Sequence, residues 1–188
     1  MENFFTRLEA RARSIGSLLC TGLDPHPDEL EDRSAAGALA YCLQLVEETQ
    51  AATAAYKPNA AFFEVWGAQG WEALRTLIAA IPAEVPLILD AKRGDIASTA
   101  EAYARVVFEG LNASAVTLNP YLGFDSIEPF LQDPARGVFL LCKTSNPGSG
   151  DLQDVTMAGA DFPHTLYEKV AALASGWNTN NNIGLVAG

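Results

Sequence analysis

Apolar and polar positions along the chain switch repeatedly between a helical and an extended period. The opening MENFFTRLEARARS places Phe4, Phe5, Leu8 and Ala12 on one side of a helix. SLLCTGLD, Ser17 to Asp24, is a short apolar run that ends in a turn with Pro25 and Pro27, and it reads as a buried strand. From Ser34 to about Thr53, Leu39, Cys42, Leu43 and Val46 recur at i, i+3, i+4 and i+7, which predicts a helix with one apolar stripe. AAYKPN, Ala54 to Asn59, predicts a second strand, and Trp71, Leu74, Leu77 and Ile78 mark the later turns of a further helix. VPLILDAKRGD, Val85 to Asp95, is a third strand running into a loop. Ile96 to Glu109 is helical again, with Thr99, Tyr103, Val106 and Val107 expected on one face. SAVTLNPY predicts a fourth strand, and SIEPFLQD a short helical stretch. GVFLLCKTS, Gly137 to Ser145, predicts a fifth strand, followed by the loop NPGSGDLQ. Phe162 to Trp177 reads as a helix, and NIGLVAG opens a sixth strand.

Strands alternating with helices imply right-handed βαβ units and a parallel sheet. Near-continuous apolar strands fit a sheet covered on both faces. Two α/β architectures satisfy this: an open doubly wound sheet or a closed eight-stranded barrel. Neither GxGxxG nor GxxxxGK[ST] occurs, which removes support from folds that bind a nucleotide phosphate after the first strand. A chain of 188 residues fits one domain. The sixth strand starts at about Ile183 and no helix follows to cover it, so the chain is expected to be part of a longer protein.

Charge narrows the function classes. Twelve Lys and Arg against 23 Asp and Glu give a net charge of −11, which argues against a nucleic-acid surface and against docking on anionic lipid. An anionic small substrate stays open, since a few local cations suffice for one. Cys20, Cys42 and Cys142 are odd in number, far apart and set in apolar runs, and read as buried reduced thiols of a cytoplasmic protein. The opening residues mix charge with apolar positions instead of forming a signal-peptide core, and no apolar run approaches the roughly 18 residues of a membrane span. His26 and His164 are isolated and carry no metal-ligand spacing. Trp66, Trp71 and Trp177 read as packing residues.

Strand parity then sorts the polar residues. On the third strand Leu87, Leu89 and Ala91 share one face, and Ile88, Asp90 and Lys92 the other. With the apolar set against helices, Asp90 and Lys92 point inward near the carboxyl end of the strand. The same parity groups Gly22 with Asp24, and Ala55 with Lys57 and Asn59. The fourth strand ends in Asn119, and the fifth in Lys143 and Ser145. In barrel enzymes that rim carries the chemistry. Lys92 has Asp90 two residues before it and Asp95 three residues after it. Flanking carboxylates favour the ammonium form, which suits a proton donor or an anion stabiliser better than a Schiff base.

At these residues the sequence resembles orotidine 5′-phosphate decarboxylase. DAKRGDIASTA, Asp90 to Ala100, carries the family's D-x-K-x-x-D-I-x-x-T pattern. LCTGLDPHP, AYKPNAAFFE, TLNPYLGFDSIEPF and LCKTSNPGSGDLQ flank it in the family's order and look like its bacterial longer-chain branch. The resemblance implies a TIM (β/α)8 barrel, here about its first six strands. Residues 1–188 then form one barrel domain without strands seven and eight. The resemblance also implies a homodimer with shared sites, no metal and no cofactor. The implied reaction converts orotidine 5′-monophosphate to uridine 5′-monophosphate. By the same resemblance, Lys92 is the proton donor to C6 and Asp90 faces the leaving carboxylate. Lys57 bonds a ribose hydroxyl and joins the charged array, and Asp24 contacts the ribose. Asp95 and Thr99 reach the partner subunit's site, and Ser145 reads the pyrimidine edge. Asn119 closes the list of substrate-binding candidates from its place at the rim. The family's phosphate-gripping Gly-rich loop and arginine have no counterpart in these residues. Two other readings stay open: a magnesium-dependent sugar-phosphate lyase or synthase on a related barrel, and a barrel fragment without activity.

Overall fold

The computed structural model describes residues 2–158 and 165–188. Helix α1 (Phe4–Ile15) leads into strand β1 (Leu19–Leu23), then α2 (Ala35–Thr49), β2 (Thr53–Pro58), α3 (Ala61–Glu64), α4 (Gly67–Ala80) and β3 (Ile88–Arg93). The chain continues through α5 (Ala97–Arg105), β4 (Ala115–Leu118), β5 (Gly137–Lys143), α6 (Gly150–Gln153), α7 (Leu166–Trp177) and β6 (Ile183–Ala187). All strand pairs are parallel and run in chain order, β1-β2 and β3-β4-β5-β6. Parallel bridges Tyr56↔Leu87 and Asn59↔Asp90 join the two groups into one curved sheet. This is the arc of a TIM barrel, with helices on its outside.

Alternation along the strands gives the arc two different faces. Leu23, Tyr56, Leu89, Val116, Leu118 and Leu140 are buried against the helical layer, where they meet Cys42, Val46, Leu74, Leu77 and Val107. The inward face begins with Ala55, Ile88, Ala115 and Phe139, one position from each of β2 to β5, and these pack on Phe4, Phe5 and Leu8 of α1. Phe4 is fully buried, with edge-to-face contacts to Phe5 and Phe139 at centroid distances of 5.0 and 6.0 Å. The amphipathic opening helix therefore closes the amino-terminal floor of the barrel. Two residues further along each of three strands stand Lys57, Asp90 and Thr117. The apolar floor thus sets the depth at which the polar layer begins.

Several boundaries differ from the sequence expectation for local reasons. Helix α2 stops at Thr49, four residues short of the expected end, because Thr53 already belongs to β2 and is buried with its hydroxyl 2.6 Å from that of Thr21. On α5 the buried stripe is Ala100, Ala104 and then Val107, whereas Thr99 and Val106 are exposed. The segment Val106–Gly110 is a π-helix, whose longer turn shifts the phase of the face expected there. Helices α3 and α6, four residues each, are too short to show a period in the sequence. Thr165 and Glu168 form a capping box that starts α7 at Leu166, and the expected start at Phe162, like His164, lies outside the described residues. Cys42 and Cys142 are buried free thiols as expected, with burial pushing Cys42 up to about 12, but Cys20 is exposed. It sits on β1, which is paired on one side only among the described residues. No described helix is long and apolar enough to cross a membrane.

Candidate active site

The carboxyl-terminal ends of β2, β3 and β4 bring three groups onto one buried carboxylate. Asp90 is 7% exposed. Lys92 Nζ donates to both of its oxygens, at 2.7 Å to Oδ1 and 2.8 Å to Oδ2. Lys57 Nζ, from the adjacent strand, lies 3.6 Å from Oδ2. Thr117 donates its hydroxyl to Oδ1 at 2.7 Å. Burial pushes the Asp90 carboxyl up, but the bonds from Lys92 and Thr117 and the charges of Lys92 and Lys57 outweigh it, so the group is held below the usual aspartate value. Two ammonium groups thus rest on one carboxylate.

Backbone geometry makes this cluster possible. Inward parity holds through Asp90 and then breaks: Leu89 pairs with Val116 and Arg93 with Leu118, so four steps on β3 match two on β4. Lys92 stands at φ 47 inside this bulge, in the left-handed region that side chains with a Cβ seldom adopt. Its side chain folds back over Asp90, and its ammonium stays in reach of solvent, with 48% of the side chain exposed.

The other candidates divide into rim and outlying groups. Asp24 is half-buried beside the cluster, and its Oδ1 accepts the Asn59 N–H at 3.1 Å. A Cβ at Gly22 would stand 3.1 Å from Asp24 Oδ2, so that carboxylate would have to shift by a few tenths of an ångström. Asn119 is exposed at the end of β4, its backbone N–H donating to Arg93 O at 2.7 Å and its Oδ1 accepting from Tyr121 N–H at 3.0 Å. Ser145 is exposed beyond β5. Lys143 turns to Asp154 at 2.6 Å. Asp95 departs from expectation: it does not flank the Lys92 ammonium, and its Oδ1 accepts the Ile96 N–H at 2.8 Å. Thr99 lies on the exposed side of α5. The structure thus gathers Lys57, Asp90 and Lys92, sets Asp24 and Asn119 around them, and leaves Asp95, Thr99 and Ser145 outside the cluster. Thr117 is not among the site residues expected from the sequence. The parity applied to the other strands would have found it, two positions before Asn119 on the inward face of β4.

An ammonium fixed over a buried carboxylate at the carboxyl-terminal mouth of a parallel α/β barrel defines a barrel enzyme. Such an arrangement can stabilise negative charge and donate a proton to a small anionic substrate. The comparisons with known proteins specify which. The family model described as orotidine 5′-phosphate decarboxylase / HUMPS family matches residues 17–188, and the chain belongs to this family. It is 53% identical over 190 residues to the orotidine 5′-phosphate decarboxylase of Roseiflexus castenholzii, covering 99% of this chain and 68% of the relative. With the orotidine 5′-phosphate decarboxylase of Herpetosiphon aurantiacus it shares 46% over 189 residues, covering 98% of this chain and 70% of the relative. The solved structure of Leishmania donovani OMP decarboxylase superposes with a TM-score of 0.90 at 52% identity, covering 99% of this chain and 70% of that one. The chain therefore spans about two thirds of the length of these relatives.

Proposed function

We propose that the protein decarboxylates orotidine 5′-monophosphate to uridine 5′-monophosphate and carbon dioxide, a step of pyrimidine biosynthesis. The observation that carries this reading is the Lys92 ammonium, 2.7 and 2.8 Å from the two oxygens of a carboxylate buried at the barrel mouth. The bond from C6 to the substrate carboxylate breaks, and its electron pair stays on C6. No ring position delocalises that pair well, so a fixed positive charge at C6 lowers the barrier. Lys92 then gives an N–H proton to C6 and regains one from solvent. Asp90 holds the Lys57 and Lys92 side chains in place before substrate arrives. In the family pattern it also faces the departing carboxylate. Lys57 and Asp24 lie toward the ribose, and Asn119 and Ser145 line the rim. Charge and proton both come from the chain, so this reaction draws on neither metal nor cofactor.

Asp95 and Thr99 act in the site of a second subunit. Support comes from the Asp95 bond to Ile96 N–H and the exposed place of Thr99 on α5, both away from the Lys92 ammonium. A homodimer in the cytoplasm is the setting this implies. A magnesium-dependent lyase would need Asp90 oxygens as ligands, yet both already accept from Lys92, and Oδ1 also accepts from Thr117. Incubation with orotidine 5′-monophosphate and chromatographic assay of product tests the reading. Equimolar uridine 5′-monophosphate and carbon dioxide, unaffected by a chelator, are expected. No conversion, or conversion lost on chelation, overturns it.

A further inference from the structure

We propose that Thr117 is the positioning residue of this site, its single hydroxyl locking both the Asp90 carboxylate and the left-handed backbone at Lys92; the proposal rests on the decarboxylase reading above. Thr117 is 4% exposed, in the middle of β4. A hydroxyl offers one donor and two acceptor positions, and here all three are used. It donates to Asp90 Oδ1 at 2.7 Å and accepts the N–H groups of Ala91 at 3.0 Å and Lys92 at 2.9 Å. The direction of each bond is fixed by chemistry, because a backbone N–H only donates and a carboxylate only accepts.

The bulge explains why a side chain does this work. Between the Leu89↔Val116 and Arg93↔Leu118 pairs, β3 carries extra residues whose N–H groups fall out of register with the β4 carbonyls. Two of these, on Ala91 and Lys92, point at the Thr117 hydroxyl. Buried donors without partners are costly, so the hydroxyl stands in for the missing carbonyl. It thereby holds Lys92 at φ 47, a backbone state that surrounding structure must impose. The same oxygen sends its proton to the carboxylate on which the Lys92 ammonium rests. Backbone and side chain of the proton donor are thus tied to one atom of the neighbouring strand, before any substrate is bound.

The comparison of Thr117→Val with Thr117→Ser tests this. Valine keeps the shape and loses all three bonds, whereas serine keeps the hydroxyl. For Thr117→Val the expected result is a kcat lower by ten- to a hundred-fold with KM changed less than about threefold. Asp90 should titrate at a higher pH by carbon NMR without substrate, and the Ala91 and Lys92 amides should exchange faster. Thr117→Ser should restore all of these to near wild type. A folded Thr117→Val protein with kcat within twofold of wild type overturns the proposal, as does a serine variant that falls as far as the valine one. If Thr117→Val does not fold, Thr117→Ala against Thr117→Ser makes the same comparison. The NMR and exchange measurements need no turnover, so they judge Thr117 even if wild type fails to convert orotidine 5′-monophosphate, a result that would instead sink the decarboxylase reading.

Discussion

Replacing Lys92 by alanine and, separately, by glycine should give two inactive proteins of different stability. Both variants lose the ammonium and its bonds to Asp90, so that loss cancels between them. What differs is the backbone. Residue 92 sits at φ 47, where a Cβ crowds the carbonyl that follows and costs about 1–2 kcal/mol. Alanine keeps that strain and glycine removes it. Glycine also gives the unfolded chain more freedom, which offsets about 0.5–1 kcal/mol of the gain. Lys92→Gly should therefore be more stable than Lys92→Ala by roughly 0.75 kcal/mol at the middle of these ranges. Urea unfolding at neutral pH reads this directly. The two variants expose the same surface, so m should match and the difference should appear in the midpoint. If Lys92→Ala is as stable as Lys92→Gly, or more so, residue 92 carries no backbone strain imposed by the fold.

Two further outcomes follow from the same geometry. Asp90 is held below its ordinary value in the folded state, so the unfolded chain binds its proton first as pH falls. Its contribution to stability is full above the ordinary aspartate range and is lost as pH drops through the lower folded value; urea unfolding across that acid range should show a shallower slope for Asp90→Asn than for wild type, and equal slopes would refute the assignment. Mixing Asp95→Ala with Lys57→Ala protein should restore up to about a quarter of wild-type decarboxylation if subunits exchange at random and share sites. No recovery, with exchange verified by mass spectrometry, would place Asp95 in the site of its own subunit.

The barrel was legible because each of the first five strands is an apolar run closed by a polar residue, and strand parity is a two-residue rule. That rule puts Asp90 and Lys57 on the inward face, two positions above the floor residues Ile88 and Ala55. It fails at Lys92, where the extra residues of β3 break the alternation, and no residue in DAKRGD announces a bulge by being proline or by carrying glycine at the positive φ. Lys92 still reaches Asp90 because a lysine stem is long enough to fold back over a neighbour two residues away. Parity places Thr117 on the inward face of β4, but threonine is an ordinary strand former, and its bonds to two N–H groups of β3 follow from a bulge that no local pattern reveals. The exposed Cys20 shows the same limit, since its apolar neighbours imply burial and only the pairing of β1 decides it.

In the proposed reaction the Lys92 ammonium, placed by Asp90, stabilises and protonates the C6 carbanion. Turnover of orotidine 5′-monophosphate by the protein and by its Lys92→Ala variant, with circular dichroism to confirm that both are folded, tests this role. A loss of about 10²-fold or more in kcat/KM is expected, since the group would supply both a fixed charge and a proton. A folded Lys92→Ala protein that keeps more than about a tenth of wild-type activity, well short of that loss, would contradict it.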